Sequence, residues 1–578
     1  MKRVVLVRPS YSGVYKLFKD KSRTPIVPPI GLGYIASVLR GGTYDGDSIR
    51  KGEASKYDPI IIDNEILKQE SSKLADLIVE YHPIMVGISA ATTSFYEALG
   101  IAKAIKERSN IYTCLGGTHA TSLGEGALKE GEYFDCLIQY EGEYTLLELL
   151  EALENKSDLK KVSGLIYRED DKVVINNLRP LIPDLDRLPL QAYDLLDMKQ
   201  YNHLIPGYGM NPMGALLTSR GCPQTCHFCF NQFGKSIRFK SPQKVLEEIE
   251  YLLDNFDVKW LTLYDDSYTW PDSRYAKKGK YYRVKQISRG LKKLRINIPY
   301  QIFMRANSVD EQTVNEIVDS GCKVISIGIE SGCDTILKNA GKGVNQKIIK
   351  NALEILNKFY PNIEIRGSII LGLPGETHST VQKTMDLLKE IKIQRVNVNI
   401  ATPYPGTKMY DMAIKGEDIA FIKGAKKDWE RFRRHGNCLI NTGDLNSEDL
   451  INYQKEAHTL FYSRPDILKH HFNMIKECIK HSSSLKSNSY YFRPFVFALK
   501  ELYNYEDNQQ YLKTEHRKNS IKLTDIDAWE NKFLMQENGS PKLSNKSTME
   551  IIEILNKEFG FGKKDITPKG ESDFVESD

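Results

Sequence analysis

The chain has 578 residues, of which 41% are hydrophobic and 27% charged, so it is neither a disordered nor a fibrous sequence. At about 150 residues per domain, that length suggests roughly three or four domains. Lys and Arg number 80 against 75 Asp and Glu, and a net charge of +5 is too small to make nucleic acid or an anionic membrane the main partner.

The first third alternates between short apolar strands and amphipathic helices. Strands are expected at Val4–Pro9, Pro59–Asp63, Pro83–Ser89, Ile111–Leu115 and Phe134–Gln139. Helices are expected at Gly31–Arg40, Lys68–Glu80, Phe95–Arg108 and Glu143–Glu154. This is the pattern of a doubly wound, Rossmann-like (flavodoxin-like) parallel α/β sheet, whose ligand site lies beyond the carboxyl ends of the strands. Residues 156–212 read as a linker, with a small hairpin at Gly164–Tyr167 and Lys172–Ile175 and a draped Pro180–Leu196 segment.

A second series follows. Strands are expected at Ala215–Ser219, Trp260–Tyr264, Tyr300–Met304, Val324–Ile329, Ile363–Leu371 and Val396–Ala401. The helices between them are Gln243–Asn255, Tyr275–Leu294, Glu311–Ser320, Gln346–Phe359 and Thr380–Ile391. Six βα steps predict a partial (β/α)6 TIM-type barrel with its functional groups at the carboxyl ends of the strands. Residues 411–562 read as a helical C-terminal substrate or lid region, with helices at Ser447–Tyr462 and Ile467–Ser484, and residues 563–578 as a disordered tail. Within it, Trp429 and Arg431 of the Lys426–His435 stretch are candidates to line the barrel mouth. His470-His471 reads as a surface pair and the aromatic run Tyr490–Phe497 as core packing.

The opening MKRVVLVRPS reads as a first strand, not a signal peptide. No stretch approaches the roughly 18 apolar residues that span a bilayer, so a reducing cytoplasm is the expected location. There are nine cysteines, far fewer than a disulfide scaffold carries. Cys114, Cys136, Cys322, Cys333, Cys438 and Cys478 are scattered. Cys222, Cys226 and Cys229 fall in one loop, spaced C-x3-C-x2-C directly after a strand. Three thiolates on such a loop can ligate three irons of a [4Fe-4S] cube and leave the fourth open to a small chelating molecule. A structural zinc would want a fourth ligand at a standard spacing, and His227 inside the loop does not supply it.

The loop, with Phe228 before its last cysteine, resembles the signature of the radical S-adenosylmethionine (SAM) superfamily. The resemblance implies that Cys222, Cys226 and Cys229 hold the cluster, that SAM chelates the open iron, and that its cleavage gives a 5′-deoxyadenosyl radical. It implies further SAM contacts at strand ends: Asp265 or Asp266 after the second strand, Glu330 and Ser331 in Gly328-Ile-Glu-Ser-Gly332, and Gly372 and Glu376 after the fifth. Pro403-Tyr-Pro-Gly406-Thr407 matches the same subgroup. Arg305 is a candidate for the SAM carboxylate through its planar fork, or for an ion pair with Glu330 across the mouth.

Residues 1–155 resemble the cobalamin-binding domain that precedes the radical SAM barrel (213–410) in one subclass. The matching segments are Pro28-Pro29-Ile-Gly31-Leu-Gly33-Tyr34, Ile61-Ile62-Asp63, Gly87-Ile-Ser89, Gly116-Gly117-Thr118-His119 and Tyr140-Glu141-Gly142-Glu143. The expected cobalamin contacts are Gly31, Gly33, Asp63, Ser89, Thr92, Thr93, Gly116, Gly117, His119, Glu141 and Gly142. The Asp-x-His-x-x-Gly motif of the mutases is absent, which argues against a mutase mechanism; His119 is expected to pack over the nucleotide tail or to be a plain loop histidine, rather than to ligate cobalt.

The resemblance implies an enzyme with a [4Fe-4S] cluster, SAM and cobalamin as cofactors. C-methylation of an unactivated carbon through methylcobalamin is the expected reaction, and oxidative ring closure of the anaerobic porphyrin cyclase type is the alternative. A cobalamin carrier or sensor would have no need of the cysteine loop. A methylthiotransferase would hold a second cluster on three N-terminal cysteines, where only Cys114 and Cys136 occur. The expected partners are a small natural-product or lipid-like substrate and an external flavodoxin- or ferredoxin-type electron donor, with no nucleic acid.

Overall fold

The computed structural model describes residues 1–11, 26–41, 43–44, 49–50, 56–170, 172–201 and 212–462, with Arg464, Asp466, Ile467 and His470 besides. The helix expected over Ile467–Ser484 lies almost wholly outside the described residues. His471, the Tyr490–Phe497 run and the tail from 563 lie outside them too. The described residues of 1–201, 212–387 and 391–454 form one compact unit that contains both large sheets.

The first sheet is built from β1 (Lys2–Arg8), β2 (Tyr57–Asp63), β3 (Met85–Ser89), β4 (Tyr112–Gly116) and β5 (Cys136–Ile138), with α1 (Ile30–Leu39), α2 (Ser71–Glu80), α3 (Phe95–Lys106), α4 (Gly117–Leu123) and α5 (Glu143–Glu154) around it. The spatial order β2-β1-β3-β4-β5 is parallel throughout, as in doubly wound sheets. Covering helices bury both faces, so Val4 to Val7 of β1 form an unbroken buried apolar run. The hairpin β6 (Leu165–Glu169) and β7 (Lys172–Ile175) is not free linker. It extends this sheet, β6 pairing antiparallel with β5 through Cys136–Tyr167 and Ile138–Leu165. Leu165, Ile166 and Tyr167 are buried there, which the assignment of residues 156–212 to a linker did not anticipate.

The second sheet holds β8 (Met213–Leu216), β9 (Trp260–Leu263), β10 (Tyr300–Met304), β11 (Cys322–Glu330), β12 (Glu364–Leu371) and β13 (Arg395–Ile400), all parallel and in sequence order. This is the expected six-stranded partial barrel. Its helices are α6 (Pro242–Phe256), α7 (Tyr282–Lys293), α8 (Glu311–Asp319), α9 (Asp334–Asn339), α10 (Gln346–Asn357) and α11 (His378–Glu390). Ser241, Asp310 and Thr377 cap α6, α8 and α11 by accepting a backbone N–H. The single helix expected over Tyr275–Leu294 is split: Gly279, at φ +117, ends a 3-10 segment before α7 begins.

Beyond the barrel come α12 (Lys408–Lys415), a two-stranded antiparallel pair (Ile419–Phe421 with Ile440–Thr442) and α13 (Ser447–Tyr462). The described start of the region read as helical thus opens with a ladder, in which Ile440 and Thr442 are buried and Asn441 is exposed. Among the described residues no helix is long and apolar enough to cross a membrane.

Candidate cofactor site at the barrel mouth

The chain leaves β8 through Thr218, Ser219 and Arg220 and turns sharply at Gly221. Gly221 sits at φ +100, and a Cβ there would lie 2.5 Å from the Ser236 carbonyl oxygen, so only glycine fits. The loop is fixed at both ends: Cys222 N–H donates to the Gly234 carbonyl (3.1 Å), Asn231 donates to the Cys222 carbonyl (2.6 Å), and His227 N–H donates to the Ala340 carbonyl (2.9 Å). Phe228 anchors it by packing against Cys333, Ile336, Ala340 and Leu373. His227 is half-buried, its Nε2 3.0 Å from Lys408 Nζ.

All three cysteines are free thiols, Cys222 and Cys226 half-buried and Cys229 exposed. Desolvation within the loop, then Asp266 and the other two thiols, hold Cys229 up to about 12, although its side chain still reaches solvent. A metal centre would displace these protons on binding. Among the described residues, no three Cys, His, Asp or Glu converge at the spacing of a single metal ion.

Two cations stand beside the thiols. Arg305, buried at the end of β10, donates to Cys226 Sγ (3.7 Å), to Gln224 Oε1 (3.3 Å) and to the Lys342 carbonyl. Lys342 donates to Glu330 Oε1 at 2.6 Å, and both side chains are under a tenth exposed. The ion pair considered between Arg305 and Glu330 is therefore replaced by Lys342–Glu330, with Arg305 turned to the cysteine loop. Lys342 was not a candidate in the sequence; its signal was Gly341-Lys342-Gly343, two positive-φ glycines that let the turn press on Thr225. Glu330 has φ +65, a rare conformation for a side-chain-bearing residue, and its Oε2 has no partner, nor has Arg305 Nε. Such orphaned buried atoms call for a ligand or water, so the site fits SAM beside the cluster.

The paired carboxylates after β9 divide. Asp266 is exposed toward the thiols, and burial around its carboxyl, with Asp265 next to it, raises it to about 6. Asp265 is buried and accepts from Thr218 Oγ1 (2.8 Å), Ser219 Oγ (2.7 Å) and Ser219 N–H, so it holds the strand end and is spent as a SAM contact.

Three further candidates turn inward. Ser331 is fully buried and accepts from Cys333 N–H while facing Thr384 of α11. Gly372, at φ +86, donates to Glu376 Oε2, as does Leu373 N–H at 3.3 Å. Glu376 is fully buried, its Oε1 has no partner, and burial raises its carboxyl to about 7. Because the fold favours the protonated acid, this group's contribution to stability falls as pH rises from about 4.5 to 7. Glu376→Gln, a mimic of the protonated acid, should flatten the change in Tm between pH 5 and pH 8. An unchanged slope in calorimetry would show that the carboxyl titrates elsewhere.

The barrel wall facing away from the helices is polar on one side. Gln301 donates to Ser326 Oγ (3.0 Å), and Asn399 Nδ2 lies 3.3 Å from Ser368 Oγ and 3.2 Å from the Ile369 carbonyl. Gln301 Oε1 and Asn399 Oδ1 are buried without partners. Asn397 on the same face is exposed. On the same face, the rings of Tyr264 and Phe303 stack 5.8 Å apart. Barrel interiors are usually filled with branched apolar side chains, so this lining suits a bound polar molecule.

In the first domain, half-exposed Ser89, Thr93 and Gly116 lie at or just beyond the carboxyl ends of β3 and β4, where such sheets bind ligands. Gly117 is required by its φ of +90 and by Ala90 O, 2.6 Å from any added Cβ. Thr92 is buried, and Gly31 is exposed on α1. His119 is fully buried, stacks on Phe95 at 4.1 Å and meets Trp429 edge-on at 5.3 Å. Neither ring nitrogen has a partner, and burial lowers its pKa to about 3, which keeps it neutral. Trp429 itself is buried against this domain, its Nε1 donating to Glu130 (2.8 Å); it does not line the barrel mouth. The orphaned imidazole and the crest of small residues fit a large bound cofactor.

Other expected contacts serve the fold. Asp63 is held by Arg8 (2.7 Å) and Tyr201 (2.8 Å), Gly33 packs on Gln191, and Glu141 is bound by two arginines of the barrel. Gly142 sits against Ile35 at the start of α5.

Comparison with known proteins agrees with this architecture. The Radical SAM superfamily model matches residues 216–388, and the B12 binding domain model matches residues 21–150. An uncharacterized methyltransferase of Pyrococcus horikoshii is 31% identical over 83% of this chain and 97% of its own length. The anaerobic magnesium-protoporphyrin IX monomethyl ester cyclase of Rubrivivax gelatinosus is 27% identical over 82% of this chain and 80% of its own. Among solved structures, the cobalamin-dependent SAM radical enzyme OxsB with aqua-cobalamin bound superposes with a TM-score of 0.64 at 15% identity, covering 97% of this chain and 80% of that one. The chain belongs to the radical SAM superfamily, in the branch that carries a B12-binding domain. It is an enzyme, and its cofactors are a [4Fe-4S] cluster, SAM and cobalamin.

Proposed function

We propose that the chain is a C-methyltransferase acting on an unactivated carbon of a small molecule held in the barrel. The observation that carries this reading is the relative named as a methyltransferase, which matches over 97% of its own length and 83% of this chain at 31% identity, above the 27% of the cyclase. When bound, the cluster with SAM supplies a deoxyadenosyl radical and cobalamin supplies the methyl group. Cys222, Cys226 and Cys229 would ligate the cluster, and Arg305, 3.7 Å from Cys226 Sγ, would offset its negative charge. Glu330, with its free oxygen, and Asp266 face SAM. Ser89, Thr93, Gly116 and Gly117 receive the cobalamin tail, with His119 as a neutral wall of that pocket.

Gln301, Ser326, Ser368 and Asn399 orient the substrate, with Tyr264 and Phe303 as its apolar shelf. Two buried acceptors without partners favour a planar molecule with N–H or O–H groups over a lipid-like one. An external flavodoxin- or ferredoxin-type donor supplies electrons. Cys114 and Cys136, neighbours in register on β4 and β5, remain thiols, which suits a reducing cytoplasm.

Candidate substrates incubated with methyl-labelled SAM separate the two readings. Methyl transfer predicts label in the product and S-adenosylhomocysteine alongside 5′-deoxyadenosine. Unlabelled product with 5′-deoxyadenosine alone would favour the cyclase reaction.

A further inference from the structure

The motif Tyr140-Glu141-Gly142-Glu143 sits in the first domain, yet its carboxylates are engaged by the barrel. Arg220, two residues before Cys222, donates to Glu141 Oε1 (2.6 Å) and to Glu143 Oε1 (2.8 Å). Arg238, just past the cysteine loop, donates to Glu141 Oε2 (2.7 Å). All four side chains are under a tenth exposed, two positive charges against two negative. The Arg220 guanidinium also lies over the rings of Tyr34 (5.1 Å), from the first domain, and Phe233 (5.3 Å). Its position is thus set from four sides, and Gly221 and Cys222 follow it directly.

The clamp continues into the first domain. Tyr140 stands at φ +60, and its N–H donates to Thr121 Oγ1 (2.9 Å) on α4, the helix that begins at Gly117. A second contact joins the same parts: Gly406 lies so close to Phe230 of the cysteine loop and Ser122 of α4 that an added Cβ would stand 2.6 Å and 3.1 Å from them.

We infer that Arg220 is a positioning residue: Glu141 and Glu143 of the cobalamin-binding domain hold it, and through it they hold the Cys222 end of the cluster loop. The cluster site is therefore completed by a domain that contributes no ligand to it. This rests on the reading that Cys222, Cys226 and Cys229 ligate the cluster. A buried fork shared by two carboxylates fixes both direction and distance, which a single point charge cannot do.

The test is anaerobic reconstitution of the full chain and of Glu141→Gln, Glu143→Gln and Arg220→Lys. Iron is counted, and the EPR spectrum of the reduced cluster is followed as SAM is added. In wild type, SAM should shift the spectrum. In Glu141→Gln and Glu143→Gln the spectrum should differ before SAM is added, and half-saturation should need at least tenfold more SAM. Arg220→Lys, which keeps the charge, should fall between. Should Glu141→Gln fail to fold, Glu143→Gln decides, since it leaves the Arg220–Glu141 and Arg238–Glu141 bonds in place. Variants with lowered Tm but spectra and SAM titrations that overlay wild type would overturn the inference. A wild type that takes up no iron would instead overturn the ligand assignment.

Discussion

Replacing any one of Cys222, Cys226 and Cys229 with alanine should abolish cluster assembly, with no detectable 5′-deoxyadenosine from SAM. On the proposed ligand set each thiolate would hold its own iron, so the loss of any one leaves the cube a ligand short. The fold should survive, because the loop is held by backbone hydrogen bonds from Cys222 and His227 and by Phe228, none of which needs a thiol. Serine at both Cys114 and Cys136 should leave iron content intact, since both are buried in the first sheet. Iron analysis beside far-UV circular dichroism separates loss of metal from loss of fold. An alanine variant that retains wild-type iron would remove that cysteine from the ligand set.

The second large effect is expected at Lys342. Lys342→Met removes the cation paired with Glu330 at 2.6 Å and leaves a carboxylate with little access to water. Breaking a buried pair by removing one partner costs about 3–5 kcal/mol, more than the pair itself is worth. Glu330→Gln/Lys342→Met should recover much of that loss, because no buried charge then stands alone. The double variant should also lose SAM binding, because it lacks the carboxylate oxygen of Glu330 proposed to face SAM. Denaturant melts of the single and double variants measure the first claim. A single variant as stable as wild type would contradict it.

What was legible in the sequence was what is local. The C-x3-C-x2-C spacing, the glycine before it and the alternation of strands and helices all depend on residues near in the chain, and the two sheets follow from them. Long-range pairing was not legible. Glu141 looked like a cofactor contact because of the Tyr140-Glu141-Gly142-Glu143 motif, yet its partners Arg220 and Arg238 lie 79 and 97 residues away. Ser331 and Glu376 share motifs with plausible site residues, but a strand-end side chain turns either to the mouth or into the helices, and the motif does not say which. Lys342 was hidden in a helix-to-helix turn that only the folded barrel brings under the cysteines. Trp429 was read as a residue that lines the barrel mouth; its indole is instead buried against His119.

The same contrast bears on substrate. Polar residues on barrel strands are easily passed over in sequence, since Gln301, Ser326, Ser368 and Asn399 are spread over about 100 residues. Register places Phe303 opposite Ser326 and Gly328 opposite Ser368, which puts these side chains on one face.

The most direct measurement is the iron and corrin content of one anaerobic preparation of the full chain after reconstitution with iron, sulfide and hydroxocobalamin. About four irons per chain, as a [4Fe-4S] cube requires, together with one corrin that survives gel filtration, is the predicted result. A chain that takes up neither, or that holds iron while the corrin elutes freely, would contradict the account of a cobalamin-dependent radical SAM enzyme.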